Sequence, residues 1–271
     1  MNNYNIFFSS FSHAKSSTWY KKSKYINWNH QVKNNDISFY VDQNSILNGI
    51  MNKNDGKIKY LWHLESPVIN TNFIKIIEDN LEEVLDTFEL IFTYSDQLLK
   101  LSPKFVFSPA NGFWVEDPKV YKKTKLISMI SSSKTMSNLQ QFRVDFAKNN
   151  SHKLDLYGGI NKKIEKKELG LNDYMFSVCI ENCEHDTYFT EKILDCFATG
   201  TIPIYKGTRK IINHFNEDGI LFLDDIDIDN INEDMYLSKI DSVIDNFERV
   251  LKYDVLEDWI YTEYIKKIKT N

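Results

Sequence analysis

Cysteine is scarce in this 271-residue chain. The three thiols, Cys179, Cys183 and Cys196, cannot all pair, and they lack the paired spacing of a structural metal site. Reduced thiols in a cytoplasm are the simplest reading. Long apolar runs are absent too: none approaches the roughly 20 residues that a membrane-spanning helix needs. The N-terminus, MNNYNIFFSSF, has neither the basic region nor the apolar length of a secretion signal, and it reads as a first strand. There is no basic excess: the net charge of -5 argues against general nucleic-acid binding. Arginine is the scarcest charged residue, with only Arg143, Arg209 and Arg249 among 33 basic side chains. No internal repeat or low-complexity tract is visible. What remains is globular: 42% hydrophobic and 14% aromatic residues exclude a disordered chain, and the length is sufficient for a substantial core in one or two domains.

Strand-like and helix-like segments alternate from end to end, which predicts an α/β chain with parallel sheets. Residues Tyr4–Ser9, Asp36–Val41, Lys57–His63, Glu89–Tyr94 and Lys104–Ser108 read as strands. Between the third and fourth, Phe73, Ile74, Ile77, Leu81, Val84 and Leu85 give a helical spacing over Thr71–Phe88. A second series runs through a strand at Lys125–Ile130, a helix at Thr135–Asn149, strands at Lys153–Tyr157 and Tyr174–Ile180, a helix at Glu191–Thr199, and strands at Thr201–Tyr205 and Gly219–Leu223. Helices over Asp234–Lys269 close the chain. The connector Asn111–Thr124, with Gly112 and Pro118, is a candidate hinge. The expected organisation is a Rossmann-like domain over 1–120, a second over 121–235, and C-terminal helices over 236–271 that could cross back to the first domain.

The most informative segment runs from Phe176 to Gly207, FSVCIENCEHDTYFTEKILDCFATGTIPIYKG. Its opening apolar run is that of a parallel strand covered on both faces, and it ends at Glu181 and Asn182. Parallel sheets bind ligands at the carboxyl ends of their strands, so these polar residues are suitably placed. Thr190 reads as a helix N-cap, Gly200 as the helix stop. The helix N-terminus offers free N–H groups and a positive dipole end, and Lys192 adds an ammonium, a combination that suits a diphosphate. Glu191 beside it could accept hydrogen bonds from ribose hydroxyls. Alternatively, Glu191 only complements the helix dipole and Lys192 is a solvated lysine. In a chain that defaults to lysine, an arginine is expected where a bidentate fork on phosphate is needed, and Arg143 lies on the helix predicted over Thr135–Asn149. A surface salt bridge is its plainer fate.

The order Phe176, Glu181, Asn182, Tyr188, Thr190, Glu191, Lys192, Pro203, Gly207 resembles the donor-site signature of the α1,3/4-fucosyltransferases, glycosyltransferase family 10. The resemblance covers about 125–225 and is weak before it. It implies a GT-B architecture, two Rossmann-like domains facing a cleft, and inverting transfer of fucose from GDP-fucose to a glycan hydroxyl. No cofactor is implied, and no metal: Arg143, Lys192 and helix dipoles would take the place of an ion. In the family an arginine followed three residues later by an aromatic contacts the donor pyrophosphate, and Arg143 with Phe146 resembles that pattern. Asn182 and Tyr188 would complete the donor pocket, with Glu191 on the ribose.

Inverting transfer also needs a base for the proton of the acceptor hydroxyl. The strand and turn YLWHLESP, residues 60–67, place Glu65 at a carboxyl end, and Trp62, Glu65, Ser66 and Pro67 resemble the family's Trp…Glu-Ser-Pro, whose glutamate is the proposed base. His63 is the second candidate, on the same face by alternation, where it could instead orient Glu65. The sharpest competing signal is Asp225, Asp227 and Asp229, spaced like metal-binding carboxylates but also like a solvated acidic loop. Two other readings stay open: a transferase of the same fold that uses another nucleotide sugar, and a relative that binds carbohydrate or nucleotide without catalysis.

Overall fold

A computed structural model describes residues 2–7, 16, 18, 21–30, 36–52 and 57–268. They form two units. One holds the described residues up to Gly112, the insert His185–Tyr188 and the chain from Asp254 onward; the other holds Phe113–Glu184 and Phe189–Tyr253.

The first unit is built on a parallel sheet of β1 (Asn2–Phe7), β2 (Ile26–Asn29), β3 (Ile37–Val41), β4 (Ile58–Trp62), β5 (Leu90–Thr93) and β6 (Phe105–Phe107), in the order β2-β1-β3-β4-β5-β6. Side chains alternate between its faces. Tyr40, Leu61 and Ile91 meet α1 (Gln43–Met51), α2 (Phe73–Asp79) and α3 (Leu81–Thr87) through Ile46, Phe73, Ile77, Val84 and Phe88. On the other face Phe39, Tyr60 and Phe92 form an aromatic row beside Trp28 and Trp62. The chain end covers that row: Leu256–Ile260 continues through a π turn, Tyr261–Ile265, to Lys266–Ile268. There Trp28 Nε1 donates to Glu257 Oε1 at 3.0 Å and the Tyr264 hydroxyl donates to the Phe107 carbonyl at 2.8 Å.

The second unit is a parallel sheet of β7 (Lys125–Ile130), β8 (Asp155–Tyr157), β9 (Tyr174–Ile180), β10 (Ile202–Lys206) and β11 (Leu221–Phe222), ordered β11-β10-β9-β7-β8. Its helices are α4 (Asn138–Asn149), α5 (Glu191–Thr199), α6 (Glu233–Leu237) and α7 (Ile240–Val250). β9 is buried along its whole length, as a central parallel strand requires. Ser137 caps α4 by accepting from the Gln140 N–H at 3.1 Å, and Thr190 caps α5; Gly200, at φ 69, ends α5 in the left-handed region.

Both sheets are the expected parallel ones, with three local differences. The helix predicted over Thr71–Phe88 is two helices, broken at Asn80, whose side-chain amide donates to the Ile76 carbonyl at 2.8 Å and offers the backbone a competing partner. β2 and α1 were not expected. Of the strand predicted over Tyr4–Ser9, Phe8 and Ser9 lie outside the described residues, as does Lys269 at the end of the predicted C-terminal helices.

Candidate active site

In a doubly wound sheet the ligand crevice lies at the carboxyl ends of the two strands between which strand order reverses. In the second unit that point falls between β7 and β9. The chain after β7 is Ser131, Ser132 and Ser133; the chain after β9 is Glu181 and Asn182. Gly158, at φ 88, lies so close that a Cβ there would meet the Ser131 carbonyl at 2.4 Å, which draws the turn after β8 against the serines.

Arg143 reaches this point from α4. Its Nη2 donates to Ser132 Oγ at 3.0 Å, and its Nε is buried without a hydrogen-bond partner among the described residues. Burial lowers the guanidinium pKa, opposed by the charges of Glu181 and Glu191. Asn182 is tied to the same helix: its carbonyl accepts from Ser137 Oγ at 2.8 Å and its side-chain oxygen from Gln140 Nε2 at 3.3 Å.

Glu181 is fully buried and organises the start of α5. Its carboxylate accepts from the Thr190 N–H at 2.9 Å, from Thr190 Oγ1 at 2.9 and 3.0 Å, and from Lys192 Nζ at 3.0 Å. Lys192 is thus a fixed ammonium, not the solvated one that its first-turn position allowed. Glu191 stands between two cations, Lys167 Nζ at 3.4 Å and Lys192 Nζ at 3.9 Å. Burial alone would raise its pKa, but the two ammonium groups override that and hold it at about 2. Lys167 also donates to Asp195 Oδ2 at 2.6 Å, and Asp195 Oδ1 accepts the Trp114 N–H at 2.6 Å. Lys167 and Asp195 were not among the residues expected at this site. Asp195 had a legible signal, a carboxylate inside the apolar stripe of α5; Lys167, one of several lysines in a polar stretch, had none.

Trp114 carries Lys167 over its ring at 4.4 Å, and Phe113 is fully buried. The aspartates of the competing signal are separately engaged: Asp225 with Arg209 at 2.6 Å, Asp227 with the Asp229 N–H at 3.0 Å, and Asp229 with Lys153. Among the described residues no group of three or more His, Cys, Asp or Glu could hold a metal ion, and no helix is long and apolar enough to cross a membrane.

Glu65 and Tyr188 belong to the first unit. Glu65 is half-buried in the turn after β4, and its backbone is held on both sides. Its N–H donates to Asp42 Oδ1 at 3.1 Å, and its carbonyl accepts from the Tyr94 hydroxyl at 2.6 Å. Since Tyr94 donates there, it must accept from His63 Nε2–H at 2.9 Å, so His63 Nδ1 accepts from Thr93 Oγ1 at 3.1 Å. His63 lies stacked between Phe73 and Tyr94, and burial, with a smaller contribution from His185, pushes its pKa down to about 3. It is therefore a neutral link in the support of Glu65 and too weak a base near neutral pH. Tyr188 meets the edge of Tyr94, ring centroids 5.0 Å apart, so one tyrosine touches both Tyr188 and the Glu65 turn.

Residues 120–254 match the C-terminal region of glycosyltransferase family 10 (fucosyltransferase). An α-(1,3)-fucosyltransferase, FucT, of Helicobacter pylori is 40% identical over 53 residues, which are 20% of this chain and 11% of that enzyme. The fold is shared with a solved α1,3-fucosyltransferase at TM-score 0.55 and 14% identity, over 99% of this chain and 88% of that one. The same comparison with an α1,3-fucosyltransferase solved with GDP-fucose gives 0.53 and 15%, over 99% and 89%. A GtfA/B complex matches at 0.51 and 9%, over 86% of this chain and 58% of that one. The two parallel-sheet units are thus those of a GT-B fold.

Proposed function

From the premise that this chain belongs to glycosyltransferase family 10, we propose that it transfers fucose from GDP-fucose to a glycan hydroxyl, with inversion at the anomeric carbon. The observation that carries the donor half is Arg143, held at the β7/β9 switch point with a buried N–H that has no partner among the described residues and with two carboxylates in its field. A diphosphate there would receive the arginine fork together with the N-termini of α4 and α5. Lys192, fixed by Glu181, would add a positive charge beside it. Glu191, held ionised by Lys167 and Lys192, is suited to accept from ribose hydroxyls. Asn182 would complete the pocket, and Tyr188 would brace Tyr94 beside the Glu65 turn.

In the reaction the acceptor oxygen bonds to the anomeric carbon as the bond from that carbon to the β-phosphate oxygen breaks. The electron pair leaves with GDP. Glu65 takes the acceptor proton as general base. Negative charge that develops on the diphosphate meets Arg143 and Lys192, which supports transfer without a metal. The first unit would carry acceptor and base, the second the donor. Cytoplasmic residence is part of the same reading, since cysteine is scarce and three thiols cannot all pair.

Thermal unfolding with a panel of nucleotide sugars tests the donor reading. A ligand at about 100 times its Kd adds roughly 2.7 kcal/mol. GDP and GDP-fucose should raise the melting temperature, and Arg143→Ala should lose the response. Stabilisation by a different nucleotide sugar alone, or by none, contradicts the proposal.

A further inference from the structure

We infer that Asp42 is a positioning residue for Glu65, and that its carboxylate sets, through the backbone of residues 64 and 65, where the Glu65 side chain stands. The inference rests on the reading of Glu65 as the base.

Four observations converge on Asp42. It follows β3 directly, and in the first sheet strand order reverses between β1 and β3, so it lies at that unit's own ligand-binding end. It has φ 62, a left-handed conformation unfavourable for a residue with a side chain. As the residue before α1 it would ordinarily turn its carboxylate onto that helix, yet it makes no side-chain cap there. Instead one oxygen, Oδ1, accepts the Leu64 N–H at 2.9 Å, the Glu65 N–H at 3.1 Å and Asn70 Nδ2 at 2.5 Å. The Asp42 N–H in turn donates to the Trp62 carbonyl at 2.9 Å, which locks the aspartate to the end of β4.

Successive backbone N–H groups that converge on one buried oxygen leave the turn little freedom, and the Tyr94 hydroxyl holds the Glu65 carbonyl on the far side. A strained residue whose side chain serves another segment points to function more than to local stability. The charges around it fit. Burial raises the Asp42 carboxyl to about 6 against the pull of its three donors, and Glu65 is the charged side chain that adds to the rise. The first turns of α1 and α2 bring no acidic residue, and His63, on the β4 side, is neutral.

The test compares the parent protein with Asp42→Ala, Asp42→Asn and Glu65→Ala. Release of GDP from GDP-fucose gives kcat and donor KM as a function of pH, and titration calorimetry gives GDP affinity. All three donors fall on a single oxygen, so Asp42→Asn can retain them while it removes the charge. Asp42→Ala should lose roughly 10- to 100-fold in kcat, the cost of a displaced catalytic group, with GDP affinity and donor KM unchanged. Asp42→Asn should recover most of the rate, because its amide oxygen can still accept the three donors, and the step of the profile near pH 6 should disappear with the carboxyl that titrates there. A parent-like kcat in Asp42→Ala with Glu65→Ala inactive overturns the positioning role and leaves the base. Turnover in Glu65→Ala overturns the base itself. If Asp42→Ala does not fold, Asp42→Asn decides alone: a low rate with an unchanged profile would make Asp42 merely structural.

Discussion

Replacement of Lys167 by methionine removes one ammonium from a row of buried charges while it keeps the aliphatic stem. The perturbation falls first on Asp195, whose side chain is 1% exposed and whose Oδ2 lies 2.6 Å from Lys167 Nζ. Removal of one partner of a buried ion pair costs about 3–5 kcal/mol, because the other charge stays buried without compensation. Asp195 keeps the N–H groups of Trp114 and Val115 on Oδ1, at 2.6 and 3.3 Å, so the lower end, about 3 kcal/mol, is expected near pH 8. Burial already raises the Asp195 pKa, and without Lys167 the carboxylate should take up a proton more readily. The cost should therefore shrink as pH falls. Urea unfolding at pH 8 and pH 5.5 measures it, as a lower midpoint with an unchanged slope. In the Lys167→Met background, Asp195→Asn should restore part of the loss at pH 8. A cost below about 0.5 kcal/mol at pH 8, or one that does not vary with pH, would contradict a buried Lys167–Asp195 pair, since exposed pairs behave in that way.

Two further outcomes follow from buried groups. Gly207→Ala should destabilise by roughly 1–3 kcal/mol, the range for overpacking, because its Cβ would meet the Tyr205 hydroxyl oxygen at 2.3 Å and Glu181 Cγ at 3.0 Å; Tyr205→Phe removes a buried hydroxyl that has no partner among the described residues, so it should be neutral or stabilising alone and should offset part of the Gly207→Ala loss. His63 has a folded pKa of about 3, below its ordinary 6.5, so its contribution to stability is present above pH 6.5 and is lost as pH falls towards 3. The slope is at most about 1.4 kcal/mol per pH unit. Asp42, raised to about 6, acts in the opposite sense between about pH 4 and 6. Unfolding free energies at pH 4–7 should fall less steeply in His63→Gln, and an unchanged slope would contradict the assignment.

The second unit was the more legible of the two. β7, β9 and α5 occupy the residues that their apolar runs and caps indicated, because strands buried on both faces and a helix between Thr190 and Gly200 announce themselves locally. β2 escaped because INWN alternates asparagine with buried Ile26 and Trp28, the pattern of an edge strand that lacks an apolar run. α1 escaped because QNSILNGIM is short, opens on polar residues, has no acidic first turn and carries a glycine at Gly49, so its helical pattern is weak. In the candidate site, residue types were readable and partnerships were not. Lys192 could be placed in the first turn of α5, but that Glu181 fixes it, and that Lys167 reaches Glu191 across 24 positions, depends on tertiary packing. His63 was readable as a companion of Glu65, while its route through Tyr94 needed the fold.

Whether Glu65 is the base of a fucosyl transfer is decided by transfer from radiolabelled GDP-fucose to a panel of glycan acceptors, with GDP binding measured in parallel, for the parent protein and Glu65→Ala. The parent should form labelled glycan, and Glu65→Ala should bind GDP with unchanged affinity but form at least about 100-fold less product, the range expected for loss of a general base. Near-normal transfer by Glu65→Ala, or no transfer by a parent protein that binds GDP-fucose, would contradict it.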